Sequence, residues 1–381
     1  MAGWSAIAGT HNYAVPDRVS AEALTEALAE YGFAMVVARP AQAEGWIVCA
    51  LDEGPYPVDV QGHRTIDAVG KAAARLARGF GGYRQGGSRC DPGMLTHFRN
   101  APIVRTNPGA RPPVPTVVIA PAPPSYALEL TPDPVSDAHA DPSGLDEIEW
   151  SELDHAHGPA EDIPELIRAL ARDDDNWDAL LDELFGDNLL HQGSCYSATA
   201  PALPFVGRLI TTGGLRASRR LDLYTWLVTA ADCLPAGVLA DAEPASVRGR
   251  APDAAPWTPD VHIAVGEQLP ALLTRWEAEP PATRYVLACL AALYPDQGRR
   301  MVEDVAAMAT RYAGHRPGEY LRIAEALLRG EDTRALTIAE QIFGWDEDLD
   351  ADWLDAPNVT DAFRAGHVLA DGTLRIVSNT A

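Results

Sequence analysis

The chain has 381 residues, 47% of them hydrophobic, and carries a formal net charge of −24 from 54 acidic against 30 basic side chains. That length exceeds a single compact core, so two folded units are the default expectation. No run of 18 or more apolar residues occurs, which excludes a membrane-spanning helix, and Asp17, Glu22, Glu26 and Glu30 occupy the place of a basic, apolar leader, so a cytoplasmic protein is the simplest expectation.

The charge is unevenly spread. Residues 1–130 hold 11 acidic and 11 basic side chains, and the rest hold 43 and 19. The whole excess therefore belongs to the C-terminal part, where it repels nucleic-acid phosphates and attracts cationic partners. DNA or RNA binding by that part is not expected, although an acidic surface also serves solubility. The five cysteines (Cys49, Cys90, Cys195, Cys233 and Cys289) are scattered and never form a CxxC pair, which points to reduced thiols and against a zinc knuckle. Cys233 and Cys289 fall on apolar helical faces and read as small buried hydrophobes.

In chain order, a short strand is expected near Trp4 to Ala8, then a helix from Ala21 to Tyr31 with Ala23, Leu24, Ala27 and Leu28 on one face, Ser20 as its cap and Gly32 as its stop. Phe33 to Ala38 and Trp46 to Leu51 read as strands, followed by a helix from Thr65 to Arg78; Ile103 to Arg105 and Thr116 to Ile119 offer further strands. Helix, strand, strand, helix is a fragment of a small α+β sandwich. The glycines between Gly79 and Gly93 follow a helix rather than opening one, so they fit a helix end and a flexible loop better than a phosphate cradle. Cys90 and His97 beside them could be paired as nucleophile and base only by geometry that no motif supplies.

Ten prolines between residues 101 and 134 block helices and favour extended chain, the composition of a linker. The PxxP arrangements at 112–115 and 121–124 have the form of ligands for polyproline-binding modules. Residues 135–160 are acidic and place His155 and His157 beside Asp154, a grouping that reads as solvated charge rather than a metal site.

A helical series then begins. Ile163, Leu166, Ile167 and Leu170 share one face; Asn176 to Leu189, Ala198 to Ile210 and Ala217 to Leu234 follow as three amphipathic helices. A proline-bearing insertion at 235–259 interrupts the pattern. It resumes at Val261 to Trp276, Ala282 to Tyr294, Met301 to Tyr312, Glu319 to Leu328 and Thr333 to Phe343. The later pairs start at Pro281 and Gly318, 37 residues apart, a spacing that fits HEAT or armadillo repeats. Asp346 to Asp355 lacks the glycine and glutamate of a calcium loop. His367 to Val377, around Asp371-Gly372, reads as a small hairpin or structured end cap.

Two resemblances rest on particular residues. Ala27 to Phe33, Trp46 to Ala50 and Ala77 to Tyr83 resemble the regulator of ribonuclease E activity B family, whose domain is a ferredoxin-like α+β fold; a shared fold would not carry the nuclease-inhibiting role with it. His191, Gln192 and Gly193, followed by Tyr196, Thr199, Pro204 and Phe205, resemble a family of actinobacterial HEAT-like helical-repeat proteins over residues 146–345. That resemblance implies a fold and a protein-binding habit but no reaction. Within the elbow, His191, Gln192, Tyr196 and Thr199 are the candidate binding residues, set against the alternative that they only cap and brace the flanking helices.

The expected organisation is an α+β N-terminal domain, ferredoxin-like, over 1–120; a proline-rich and acidic linker over 121–160; an all-α HEAT/armadillo-like helical-repeat domain over 161–345; and an acidic segment with a C-terminal cap over 346–381. No catalytic residue, cofactor or metal is assigned. The expected role is non-catalytic binding of a basic protein partner, in its specific form an immunity or inhibitor protein. The alternatives are an enzyme sited in the N-terminal domain and a general scaffold.

Overall fold

A computed structural model describes residues 7–41, 45–90, 101–115, 121–130, 143–172, 176–191, 194–212, 214–232, 257–346 and 360–378. The chain forms two compact units. Among the described residues, one runs to Pro121 and takes in 343–346, and the other comprises Ala122 to Ile342 and Thr360 onward.

The first unit is a five-stranded antiparallel sheet with two helices. In chain order these are β1 (Ile7–Val15), α1 (Arg18–Tyr31), β2 (Met35–Pro40), β3 (Trp46–Tyr56), α2 (Val60–Gly79), β4 (Tyr83–Cys90) and β5 (Ile103–Thr106). The sheet order is β4-β1-β3-β2-β5, so each helix crosses over one strand before the chain rejoins the sheet. Both helices pack on one face: Leu24 and Leu28 of α1 and Val69, Ala73 and Ala77 of α2 meet Tyr13, Val36, Val48 and Ala50. Alternation sends Met35, Val37, Cys49 and Leu51 to the opposite face, beside Val104. Asp17, and not the expected Ser20, caps α1, which begins at Arg18: its carboxylate accepts from the Ser20 amide at 2.7 Å, and Gly32 ends the helix in the left-handed region at φ 117°.

Two further expectations for this unit are corrected. The short strand expected near Trp4 to Ala8 is the nine-residue interior strand β1, Ile7–Val15, whose polar Thr10, His11 and Asn12 conceal the alternation. The loop expected at Gly79 to Gly93 contains β4, with Gly86 and Gly87 paired opposite Asn12 and His11 next to a register shift. Glycine inside a strand marks such an irregularity rather than a flexible loop. The strand expected at 116–119 lies outside the described residues.

The second unit is helical. It contains a two-residue hairpin, β6 (Asp154–His155) with β7 (Gly158–Pro159), then α3 (Ile163–Ala171), α4 (Trp177–Leu181) running directly into a π-helical stretch (Asp182–Leu189), α5 (Thr199–Thr211) and α6 (Ala217–Asp232). Next come α7 (Thr258–Leu272), a 3₁₀ turn (Leu273–Ala278), α8 (Pro281–Leu293), α9 (Pro295–Gly298), α10 (Val302–Arg311), α11 (Arg316–Leu328), α12 (Asp332–Phe343) and α13 (Asp361–Ser378). Helix α8 is apolar nearly all round, from Tyr285 to Ala292, and that is why it is enclosed: α6, α11 and α13 all pack against it. Cys289 on it is fully buried, as a small hydrophobe is expected to be, and burial pushes its thiol up to about 12.

The tail is corrected too. Residues 367–377 belong to the continuous helix α13 rather than a hairpin. Asp371-Gly372 is not a turn: a Cβ on Gly372 would come within 1.9 Å of the Tyr320 ring, so the glycine serves close approach of α13 to α11. The stretch expected to be a linker is, in its described parts 122–130 and 143–160, packed on the helices of this unit, with Leu128, Leu145 and Trp150 buried.

A buried ion pair locks the centre of the unit. Arg220 of α6 grips Glu279 with its Nε at 2.9 Å and its Nη2 at 2.7 Å, and both side chains are almost wholly excluded from water. Arg275 Nε donates a third bond to the same carboxylate at 2.8 Å, and Arg220 Nη1 reaches the Leu215 carbonyl at 2.5 Å. Removing one partner strands the other charge in a low-dielectric interior. Glu279→Ala is therefore expected to cost about 3–5 kcal/mol in urea unfolding; a loss below about 1 kcal/mol contradicts this role for the pair.

Candidate functional site

The elbow after the π-helical stretch gathers features that lie apart in the sequence. The stretch closes with an i to i+5 bond, from the Leu190 amide to the Phe185 carbonyl at 2.7 Å, and Phe185 stacks on Trp226 of α6 with ring centres 5.2 Å apart. Such wide turns are rare and recur at functional sites. Leu181, Leu184, Phe185 and Leu189 point inward, while Asp178, Asp182, Glu183 and Asp187 are all exposed. None of these four carboxylates forms an ion pair with another described residue, and no lysine or arginine occurs between Arg172 and Arg208.

The hairpin β6–β7 is pinned to both sides of the elbow. Ala156 N–H donates to the Asn188 carbonyl at 3.1 Å, Ala198 N–H donates to the Asp154 carbonyl at 3.1 Å, and Ser197 Oγ accepts from the Asp154 amide at 2.7 Å. The hairpin thereby brings His155 and His157 to His191. Ring centres are 6.0 Å apart for the first pair and 5.4 Å for His157 and His191, both edge to face. His155 is buried and its tautomer follows from its partners: Nδ1 accepts the His157 amide at 3.0 Å, so Nε2 carries the proton it offers Asp162 at 3.1 Å. His157 is exposed and His191 half-buried, so these two imidazoles face solvent beside the acidic helix.

The four residues singled out in the elbow separate by role. Thr199 is fully buried; its Oγ1 donates to the Leu189 carbonyl at 2.7 Å and accepts the Tyr196 amide at 2.9 Å, joining the end of the π-helical stretch to the start of α5. Thr199 is thus a brace, and Tyr196 takes part through its backbone. His191 belongs to the imidazole row. Gln192 lies outside the described residues. The sequence reading missed the meeting of His157 with His191, since 34 positions separate them and only the hairpin closes the gap. It also missed the π-helical register. The acidic spacing at 178, 182, 183 and 187 was the available signal.

At the start of the acidic helix, Trp177 Nε1 donates to Asp222 Oδ2 at 3.0 Å, and Arg219 lies 4.8 Å from the Trp177 ring centre. Burial pushes the Asp222 carboxyl up to about 6; the Trp177 bond opposes this, and the neighbouring Asp178 charge adds to it.

In the first unit, His11 of β1 is fully buried with neither ring nitrogen bonded among the described residues, and its pKa is lowered to about 3 by burial and then by Arg84. Arg84 in turn meets Asp67 at 3.0 Å, and Lys71 meets the same carboxylate at 3.0 Å. His11 and Arg84 are buried between sheet and helix, whereas Asp67 and Lys71 are partly exposed at its edge. His97 and the Cys90 side chain lie outside the described residues. Among the described residues no group of three or more His, Cys, Asp or Glu could hold a metal ion, and no helix is long and apolar enough to cross a membrane. No family model, curated protein or solved structure matches the chain.

Two outcomes follow from this geometry. Thr199→Val leaves the Leu189 carbonyl and the Tyr196 amide unpaired, so chemical denaturation should show a loss of about 1–3 kcal/mol, whereas His157→Ala on the surface should stay within about 0.5 kcal/mol. Equal effects of the two contradict the division of roles. For Asp222, the folded pKa lies above the unfolded one, so its charged form weighs against folding above pH 6 and that penalty fades as pH falls toward 4. Asp222→Asn, which keeps an acceptor for Trp177, should raise the melting temperature at pH 7 and flatten its pH dependence between 4 and 6; an unchanged profile contradicts the assignment.

Proposed function

We propose that this chain is a non-catalytic protein-binding molecule whose helical unit docks a cationic protein through the acidic π-helical face and its histidine elbow. The observation that carries this reading is the row of four exposed, unpaired carboxylates at Asp178, Asp182, Glu183 and Asp187. On α11 and in the turn after it, by contrast, acids are paired with arginine: Glu319 with Arg322, Glu325 with Arg329, and Glu331 with Arg334. An unanswered row keeps its attraction for a basic surface, raises the encounter rate, and loses both as salt is added. The same field disfavours nucleic acid on this unit.

In its specific form the reading is an immunity or inhibitor protein that neutralises a basic toxin. Two finer proposals about architecture accompany it. The crossover order of β1, α1, β2, β3, α2 and β4 supports a ferredoxin-like reading of the first unit, with β5 added at one edge. The pairing of α10 with α11, and of α11 with α8, supports a HEAT/armadillo-like ancestry for the second. Neither fold implies a reaction.

The test is affinity capture of partners with the full chain and with a variant carrying Asp178→Asn, Asp182→Asn, Glu183→Gln and Asp187→Asn. The wild type should retain a basic partner at low salt and release it as sodium chloride rises to about 0.5 M, where the screening length shrinks to a few ångströms, and the variant should retain at least tenfold less. Equal capture by both at every salt concentration contradicts the proposal.

A further inference from the structure

Residues 122–130, read in the sequence as part of a proline-rich connection, lie as a strap across the N-termini of α8 and α11. The contact has a definite physical basis. The first turn of any helix leaves amides without intrahelical acceptors. Here the strap's carbonyls fill two of those places: the Ala282 amide, second in α8, donates to Glu129 O at 3.1 Å, and the Arg316 amide, first in α11, donates to Pro124 O at 3.1 Å. Arg316 Nε adds a bond to Pro123 O at 3.3 Å. Between these clamps Tyr126 wedges against Tyr312 and His315, with ring centres 5.2 and 5.1 Å away, and Leu128 is buried to 2% exposure.

This is how extended proline-rich peptides are held elsewhere: aromatic walls, main-chain acceptors, and little strand or helix in the ligand. The clamps read only backbone, so selectivity rests on the stiff Pro123-Pro124 pair, the Tyr126 wedge and the Leu128 anchor. Ser125, Ala127 and Glu129 face solvent and are free to vary. The strap's hold is shallow, since Tyr126 itself keeps 39% of its surface exposed.

We infer that the surface spanning Ala282, Tyr312, His315 and Arg316 is a peptide-binding groove for an extended Pro-Pro-Xaa-Tyr-Xaa-Leu segment. It is filled in cis by Pro123 to Leu128 and open to a partner's segment of the same chemistry when the strap lifts. A segment tethered to its own groove competes at an effective concentration of about a millimolar, so the resting chain turns micromolar competitors away. This site is separate from the acidic elbow and stands or falls without it.

The test uses the full chain and a fluorescein-labelled synthetic peptide with the sequence of residues 121–130, PAPPSYALEL, read by fluorescence anisotropy. Tyr126→Ala in the protein should open the groove and tighten peptide binding at least tenfold over wild type. A peptide with alanine in place of its tyrosine should lose that binding in the same protein. The paired substitution Pro123→Gly with Pro124→Gly is a second way to loosen the strap, and circular dichroism reports whether each variant is folded. Equal affinity for wild type and both folded variants overturns the inference, as does equal binding of the alanine peptide. If both strap variants unfold, the strap is part of the fold and not replaceable, which overturns it as well.

Discussion

The helical unit depends on one interaction, the bidentate grip of Arg220 on Glu279 inside an otherwise apolar centre. A chain so rich in acid has placed one carboxylate where water cannot reach it, and has answered it with two guanidinium groups rather than one. The pair is costly to desolvate, so it is a poor source of net stability but a strict condition on geometry: α6, the 3₁₀ turn and the start of α8 must all be in register for it to close. Arg284, which donates to the Glu279 carbonyl at 2.6 Å, extends the same constraint into α8. Because α8 is buried on every side, the helices that pack on it inherit that register.

Outside this centre the charges follow a different rule. On α11 and in the turn after it, Glu319, Glu325 and Glu331 sit one helical turn from arginines, an arrangement of small energetic worth that leaves little field to act at a distance. Along α4 and the π-helical stretch no arginine or lysine is within reach in sequence, and the carboxylates are exposed together. Within the wide turn Phe185 stacks inward on Trp226 while Asp187 is exposed, shortly before His191 in the same elbow. The Asp222 carboxyl is raised chiefly by burial, with the neighbouring Asp178 charge adding to it.

How much of this was legible in the sequence depends on which physical signal an element leaves. Helices α3, α5, α8 and α11 leave a three-and-four spacing of apolar residues, and they form where that spacing falls. The interior strand β1 leaves no such trace, because three polar residues occupy its middle and are tolerated only within the folded sheet. Strand β4 looked like a loop because Gly86 and Gly87 carry no side chain to betray alternation. Helix α13 looked like a turn because Asp-Gly is a local turn signal, and only the tertiary approach of Tyr320 to Gly372 overrides it. At the candidate site, the elbow was marked by His191 and Thr199, yet the brace and the imidazole row look alike in sequence. Their separation comes from the hairpin at Asp154 to Pro159, whose pairing is only two residues long and too short to leave a pattern.

The central claim is that unpaired carboxylates, and not total negative charge, set where a basic surface docks. Hydrogen–deuterium exchange of the full chain at low salt, with and without an arginine-rich peptide, tests it most directly. The account predicts added protection confined to residues 177–191 and 154–158, with 316–343 unchanged. Protection spread evenly over the arginine-paired acids Glu319, Glu325 and Glu331 would contradict it.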